Sequence, residues 1–162
     1  MKLSNELIKK IADAIDADFV CYVNPEIGEM EEMMNDAVLA DYGIYWEDDD
    51  EEALEKDQAS EPDWQTEMRK GAKAQMDRVC SWRHCVTVKK LEVQESFRFM
   101  EDFVEDIIPE DKQGIWWKAL SRKSPFANFN DLAHNSEYRE RWFEFREQGM
   151  MEHVREELGM DL

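Results

Sequence analysis

The chain has 162 residues, 43% of them hydrophobic, with 8 Phe, 6 Trp and 10 Met; that is enough apolar bulk for one cored domain and excludes a wholly disordered chain. Its net charge is −19, and residues 1–66 alone hold 20 acidic and 4 basic side chains, a field that disfavours nucleic-acid phosphates and anionic lipid as partners. Residues 1–18 place Lys9, Lys10 and several acids where an apolar signal core would sit, and no apolar run approaches the ~20 residues that span a bilayer.

In chain order, Leu3, Leu7, Ile8, Ile11, Ala12 and Ile15 recur at three- and four-residue steps and predict an amphipathic helix over 4–16. Phe19-Val20-Cys21-Tyr22-Val23 is β-branched and aromatic and predicts a strand. Asn24-Pro25-Glu26-Ile27-Gly28 has turn chemistry, so Glu29 to Met34 is expected to pair back as the second strand of a hairpin. Asp36 to Trp46 is ambiguous between helix and loop. Six consecutive acids, Glu47 to Glu52, then repel one another, and 47–60 is expected to be an acidic, solvated linker.

Ser60, Pro62 and Asp63 form a plausible helix entrance, with Ser60 as cap and a helix running to Val79 on a stripe of Trp64, Met68, Ala72 and Met76. Cys85 to Val88 reads as a third strand completing a small antiparallel sheet. From Ser96 onward the pattern is helical. Phe97, Met100, Phe103, Val104 and Ile107 share a face; Pro109 ends that helix. Ile115, Trp116, Ala119 and Leu120 mark a second, Ser124-Pro125 opens a third, and Ser136 is the expected cap of a fourth. Gly149 either weakens this last helix or marks a close packing point. The fold class expected is α+β: an N-terminal helix and small antiparallel sheet (1–46 plus 84–90), then a bundle-like helical half (94–158), in a single domain.

Three blocks of the chain resemble a bacterial family of unknown function, uncharacterised protein family 0158. The first is Phe19 to Met30, on the run Tyr22-Val23-Asn24-Pro25-Glu26-Ile27-Gly28-Glu29. The second is the run Ser96-Phe97-Arg98-Phe99-Met100-Glu101-Asp102-Phe103-Val104. The third extends from Ala119-Leu120 through Phe126, Phe129 and Asp131 to Trp142-Phe143-Glu144-Phe145. Where the family shows Phe-Arg-Arg-Phe-Lys-Asp, this chain has Phe126-Ala127-Asn128-Phe129-Asn130-Asp131, keeping the apolar positions and the Asp but not the basic ones. The resemblance implies an architecture and carries over no catalytic residues.

Few residues suggest chemistry. Cys80, His84 and Cys85 offer three metal ligands, but a structural zinc site usually takes four ligands in paired close spacings; half-buried residues entering a strand are the expected reading, and no metal or cofactor is expected. Three cysteines (Cys21, Cys80, Cys85) without a regular framework suit a reducing compartment, and the cytoplasm is the expected location. No nucleophile elbow, P-loop or dinucleotide fingerprint can be written. Glu101, Asp102, Glu105 and Asp106 crowd one helix, where they most simply form its solvated face. Adjacent aromatics such as Trp116-Trp117 and Trp142-Phe143 cannot both point inward, so one of each pair is expected at an interface.

The reading that follows is a non-enzymatic interaction or regulatory module. Its acidic patch (Asp48, Asp49, Asp50, Glu51, Glu52) would steer a basic protein surface, and an aromatic-rich helical face would supply contact area. Self-association through that face is a variant of the same reading. An enzyme or small-ligand binder is the alternative, with Glu101, Glu105 and Asp131 as its acids and Trp142 and Trp117 as aromatic walls. A nucleic-acid mimic ranks third.

Overall fold

A computed structural model describes residues 3–44 and 62–160. The expected linker at 47–60, its acidic patch and the Ser60 cap lie outside the described residues. The fold is α+β, an N-terminal helix and a three-stranded antiparallel sheet followed by helices. The chain divides into two compact units, Met1–Lys90 and Leu91–Leu162.

In the first unit, α1 (Asn5–Asp16) begins where the Ser4 hydroxyl accepts the Leu7 N–H at 3.2 Å, the usual satisfaction of an orphan helix donor. Its apolar stripe buries Ile8, Ile11, Ala12 and Ile15. Asp18 follows in the left-handed region at φ 67°. There its carbonyl accepts from Asn35 Nδ2 at 3.2 Å and its carboxylate pairs with Lys90, which helps hold a conformation costly for a side chain with a Cβ. Strands β1 (Phe19–Asn24) and β2 (Glu29–Met34) pair antiparallel from Phe19↔Met34 to Asn24↔Glu29. The connecting turn uses both of its signal residues. Asn24 Oδ1 accepts the Glu26 N–H at 3.1 Å, and Gly28 takes φ 71°, a conformation that glycine adopts without steric cost. Those bonds let Asn24 be buried although polar.

The ambiguous stretch after β2 resolves into a short helix, α2 (Asp36–Asp41), capped by Asn35, whose Oδ1 accepts the Val38 N–H at 3.0 Å. Helix α3 (Asp63–Ser81) starts directly after Pro62, which has no capping side chain to offer. Its buried residues are Ala72 and Val79. Trp64, expected on the buried stripe, is instead 55% exposed. It sits in the first turn, where it meets Tyr42 edge-on at 6.2 Å, itself an exposed ring. Further along, Gln75 Nε2 donates to Glu31 Oε2 and to the Glu32 carbonyl, and Arg78 Nε pairs with Glu31 Oε1 at 3.1 Å. These contacts tie the second half of α3 to β2. Strand β3 (Val86–Val88) pairs with the other edge of β1, giving the order β2-β1-β3. Cys21 and Val23 on the central strand are therefore fully buried.

The second unit is helical: α4 (Val93–Ile107), a 3₁₀ turn (Glu110–Lys112), α5 (Gly114–Ser121), α6 (Pro125–His134) and α7 (Arg139–Glu157). Helix α4 begins three residues before Ser96 and ends ahead of Pro109, whose ring cannot continue a helix. Ser136 closes the α6–α7 turn, accepting the Tyr138 N–H at 3.2 Å and donating to the Ala133 carbonyl at 2.9 Å; the helix proper starts at Arg139. Phe103 is the centre of the core. Its ring lies 5.1–6.1 Å, edge-on, from those of Trp116, Phe129, Trp142 and Phe145. Of the two readings of Gly149, the packing one holds: a Cβ there would lie 2.6 Å from the Phe99 ring. Among the described residues no helix is long and apolar enough to cross a membrane.

Candidate functional site

The helical unit contains a groove built by two turns. Pro109 breaks the chain after α4, and the 3₁₀ turn redirects it into α5. Gln113 braces this corner: its Nε2 donates to the Ile108 carbonyl at 2.8 Å and its Oε1 accepts Trp117 Nε1–H at 3.2 Å. The α6–α7 turn, closed by Ser136, forms the opposite side. Between them lies a cavity of about 390 Å³, at the small end of the range for ligand pockets and large enough for a bulky side chain.

Its walls are mostly apolar. Trp116, Leu132 and Tyr138 contribute, with Trp116 edge-on to Tyr138 at 6.2 Å. Ile115 also lines it and is 62% exposed, although it is one of the four apolar residues that mark this helix in the sequence. Helix α5 is eight residues long and buries Trp116 and Leu120. Ile115 precedes Trp116 by one residue, about 100° round the helix, and so points away from that stripe.

The polar rim holds Asp111, Lys112 and Glu137. Lys112 Nζ donates to Glu137 Oε1 at 3.0 Å and lies 6.0 Å from the Tyr138 ring centre. The hydrogen bond from Lys112, with a further one from Tyr138, holds the Glu137 carboxyl below the usual carboxylate range; the same bond to Glu137 raises Lys112 above the usual lysine range. Acid protonates Glu137 only below its ordinary range and base discharges Lys112 only above its own, so the pair is charged throughout the neutral region. Both side chains are mostly exposed, and such a pair contributes little to stability. It is a feature of the rim that an incoming charged group can compete for.

The residues singled out from sequence lie elsewhere. Glu101 is half-buried and Glu105 exposed on α4; Asp131 is exposed on α6. Trp117 is half-buried against Gln113. None of these lines the groove. Trp142 is not a site wall but a core residue, 4% exposed, because the inward face of α7 sets its ring 4.7 Å from Phe129 and 5.1 Å from Phe103. Its neighbour Phe143 points outward, where His134 meets the ring edge-on and Arg139 lies over it at 5.5 Å. Most of the aromatic excess therefore goes into the core and leaves little aromatic surface. Sequence reasoning missed Lys112, Leu132, Glu137 and Tyr138 as site residues. The one available signal was Ile115, an apolar residue next to two tryptophans on a helix too short to bury all three.

In the first unit, Cys80, His84 and Cys85 do not form a ligand set: His84 Nε2 pairs with Glu26 Oε1 at 3.2 Å, and among the described residues no three His, Cys, Asp or Glu side chains gather as a metal site would require. All three cysteines are free thiols. Cys21 is buried beneath α1, and burial, with the Glu32 charge adding to it, pushes its pKa up to about 12. At neutral pH it stays protonated and unreactive. A disulfide reagent added to the native protein is expected to titrate Cys80 and Cys85 rapidly and Cys21 only after denaturant; three equally fast thiols would contradict the packing of β1 beneath α1.

Comparisons with family models, curated proteins and solved structures find no match for this chain.

Proposed function

We propose that this protein is a non-enzymatic interaction module whose helical unit receives a bulky apolar side chain from a basic segment of a partner protein. The observation that carries this reading is the groove itself: an open apolar cavity of about 390 Å³ with Ile115 62% exposed at its mouth and acids at its rim. An exposed apolar residue over a preformed cavity is the arrangement that anchors partner side chains. The partner's charge follows from the surroundings. Asp111 and Glu137 flank the groove against the single cation Lys112, residues 91–162 carry 17 acidic and 9 basic side chains, and the whole chain is at −19. The acids at 48–52 are part of that −19, a charge that steers basic partners and whose effect weakens with salt.

A catalytic reading has less support. Lys112 and Glu137 pair with each other at the surface of the groove, and the carboxylates Glu101, Glu105 and Asp131 do not line it. The mimic reading depended on the acidic run, which lies outside the described residues. Kinship with uncharacterised protein family 0158 is part of the proposal and rests on the resemblance of the three sequence blocks.

A short synthetic peptide with a central Leu-Trp pair flanked by lysines serves as the probe. In a titration followed by NMR, its shifts are expected to concentrate on Ile115, Leu132 and Tyr138. Ile115→Glu, a surface change that leaves the core intact, should weaken binding by about tenfold, or ~1.4 kcal/mol, and raising salt should weaken it further. Shifts scattered over the whole acidic surface, or an affinity indifferent to Ile115→Glu, would defeat the proposal.

A further inference from the structure

We propose that Cys80 and Cys85 form a reversible dithiol–disulfide site that joins the end of α3 to the start of β3. The inference is independent of the groove and lies in the first unit.

Three observations bring the segments that carry the two thiols to one face of the sheet. Glu31, Tyr22 and Thr87 are cross-strand partners on β2, β1 and β3, so their side chains share one face of the sheet. Cys85, two residues before Thr87, continues that face by strand alternation. The end of α3 packs over the same face, since Arg78 pairs with Glu31 at 3.1 Å and Val79 is buried; Cys80 follows Val79, and four residues separate it from Cys85. Both cysteines are exposed, and the connection between them contains bends at Arg83 and His84 as the chain passes from helix to strand. The ionisation of these groups agrees with this geometry: Cys80 and Cys85 each raise the Tyr22 pKa, secondary to its burial, and Cys80 adds to the rise that burial imposes on Cys85. The third cysteine, Cys21, is shut away under α1 and does not compete.

With a hydroperoxide as oxidant the chemistry balances. One thiolate attacks a peroxide oxygen, the O–O bond breaks, and the departing hydroxide takes a proton to become water, leaving a sulfenic acid. The second sulfur attacks the first, the S–O bond breaks, and the hydroxide that leaves takes the second thiol's proton. Two thiols and one hydrogen peroxide give one disulfide and two waters; the sulfurs lose two electrons and the peroxide gains them. A thiol reductant reverses the step by exchange.

The test uses the full chain and hydrogen peroxide. Trypsin cuts after Arg78, Arg83 and Lys89, so the two cysteines fall on separate peptides, 79–83 and 84–89. After oxidation and alkylation of the remaining thiols, these peptides are expected to appear joined, about 2 Da below the sum of their thiol forms, in a chain that migrates as a monomer without reductant. Dithiothreitol should separate them, and Cys80→Ser or Cys85→Ser should each abolish the joined species. Both are surface changes, and a Cys21→Ser variant that still yields the joined peptides would support the assignment further. Separate sulfinic acids at both positions, or disulfides formed only between chains, would overturn the proposal.

Discussion

Phe103→Ala is expected to cost the helical unit about 3–5 kcal/mol, the range for deleting a fully buried aromatic ring. Phe103 is 0% exposed and its ring meets those of Trp116, Phe129, Trp142 and Phe145 edge-on. Removing it leaves a cavity whose four aromatic walls are rigid and attached to α5, α6 and α7, so the site relaxes poorly. Edge-on pairs also contribute beyond their buried area. Small domains are stable by only about 5–15 kcal/mol, so this change takes a large share of the total. Hydrogen exchange of the α4 and α7 amides reads the loss in this unit separately from the sheet-containing one. Phe143→Ala is the control: that ring is 37% exposed, and its loss should lower protection far less. A Phe103→Ala protein with α4 and α7 protected as in the parent would mean that the ring cluster is not the centre of this core.

Gly149→Ala should change sign with its neighbour. On an open helix face, alanine in place of glycine stabilises by roughly 1 kcal/mol because it restricts the unfolded chain and favours helix. At this position the new Cβ would stand 2.6 and 2.8 Å from two carbons of the Phe99 ring. The half-buried ring has to swing out or α7 has to shift, and overpacking of this kind costs about 1–3 kcal/mol. In a Phe99→Ala background the obstruction is gone, and the same substitution should then stabilise by up to about 1 kcal/mol. A double-mutant cycle by chemical denaturation measures the coupling. If Gly149→Ala has the same effect in both backgrounds, the close approach of Phe99 to α7 is not what this glycine serves.

Much of the architecture could be read from local residue order. The three- and four-residue steps from Leu3 to Ile15 identify α1, and Asn24 with Gly28 marks the hairpin, because a buried stripe and a left-handed turn each demand particular residue types at fixed spacing. Pro109 and Pro125 punctuate the helices for the same reason. The roles of single side chains were less legible. Trp64 and Ile115 both fit an apolar stripe by spacing, yet both are exposed, since a stripe is buried only where another element covers it. Trp142 looked equally suited to a surface wall and proved internal.

Outside the ambiguous stretch that became α2, the residue pattern by itself determined which of the described stretches would be helix or strand and their order along the chain, and composition showed where its negative charge is concentrated. Tertiary structure alone decided that the Glu110–Lys112 turn and the α6–α7 turn would face each other across a groove, that Phe99 would press against Gly149, and that the second half of α3 would be tied to β2 through Gln75 and Arg78. Those juxtapositions join residues distant in sequence or separated by a change of direction, and periodicity within one element holds no information about which other element packs against it.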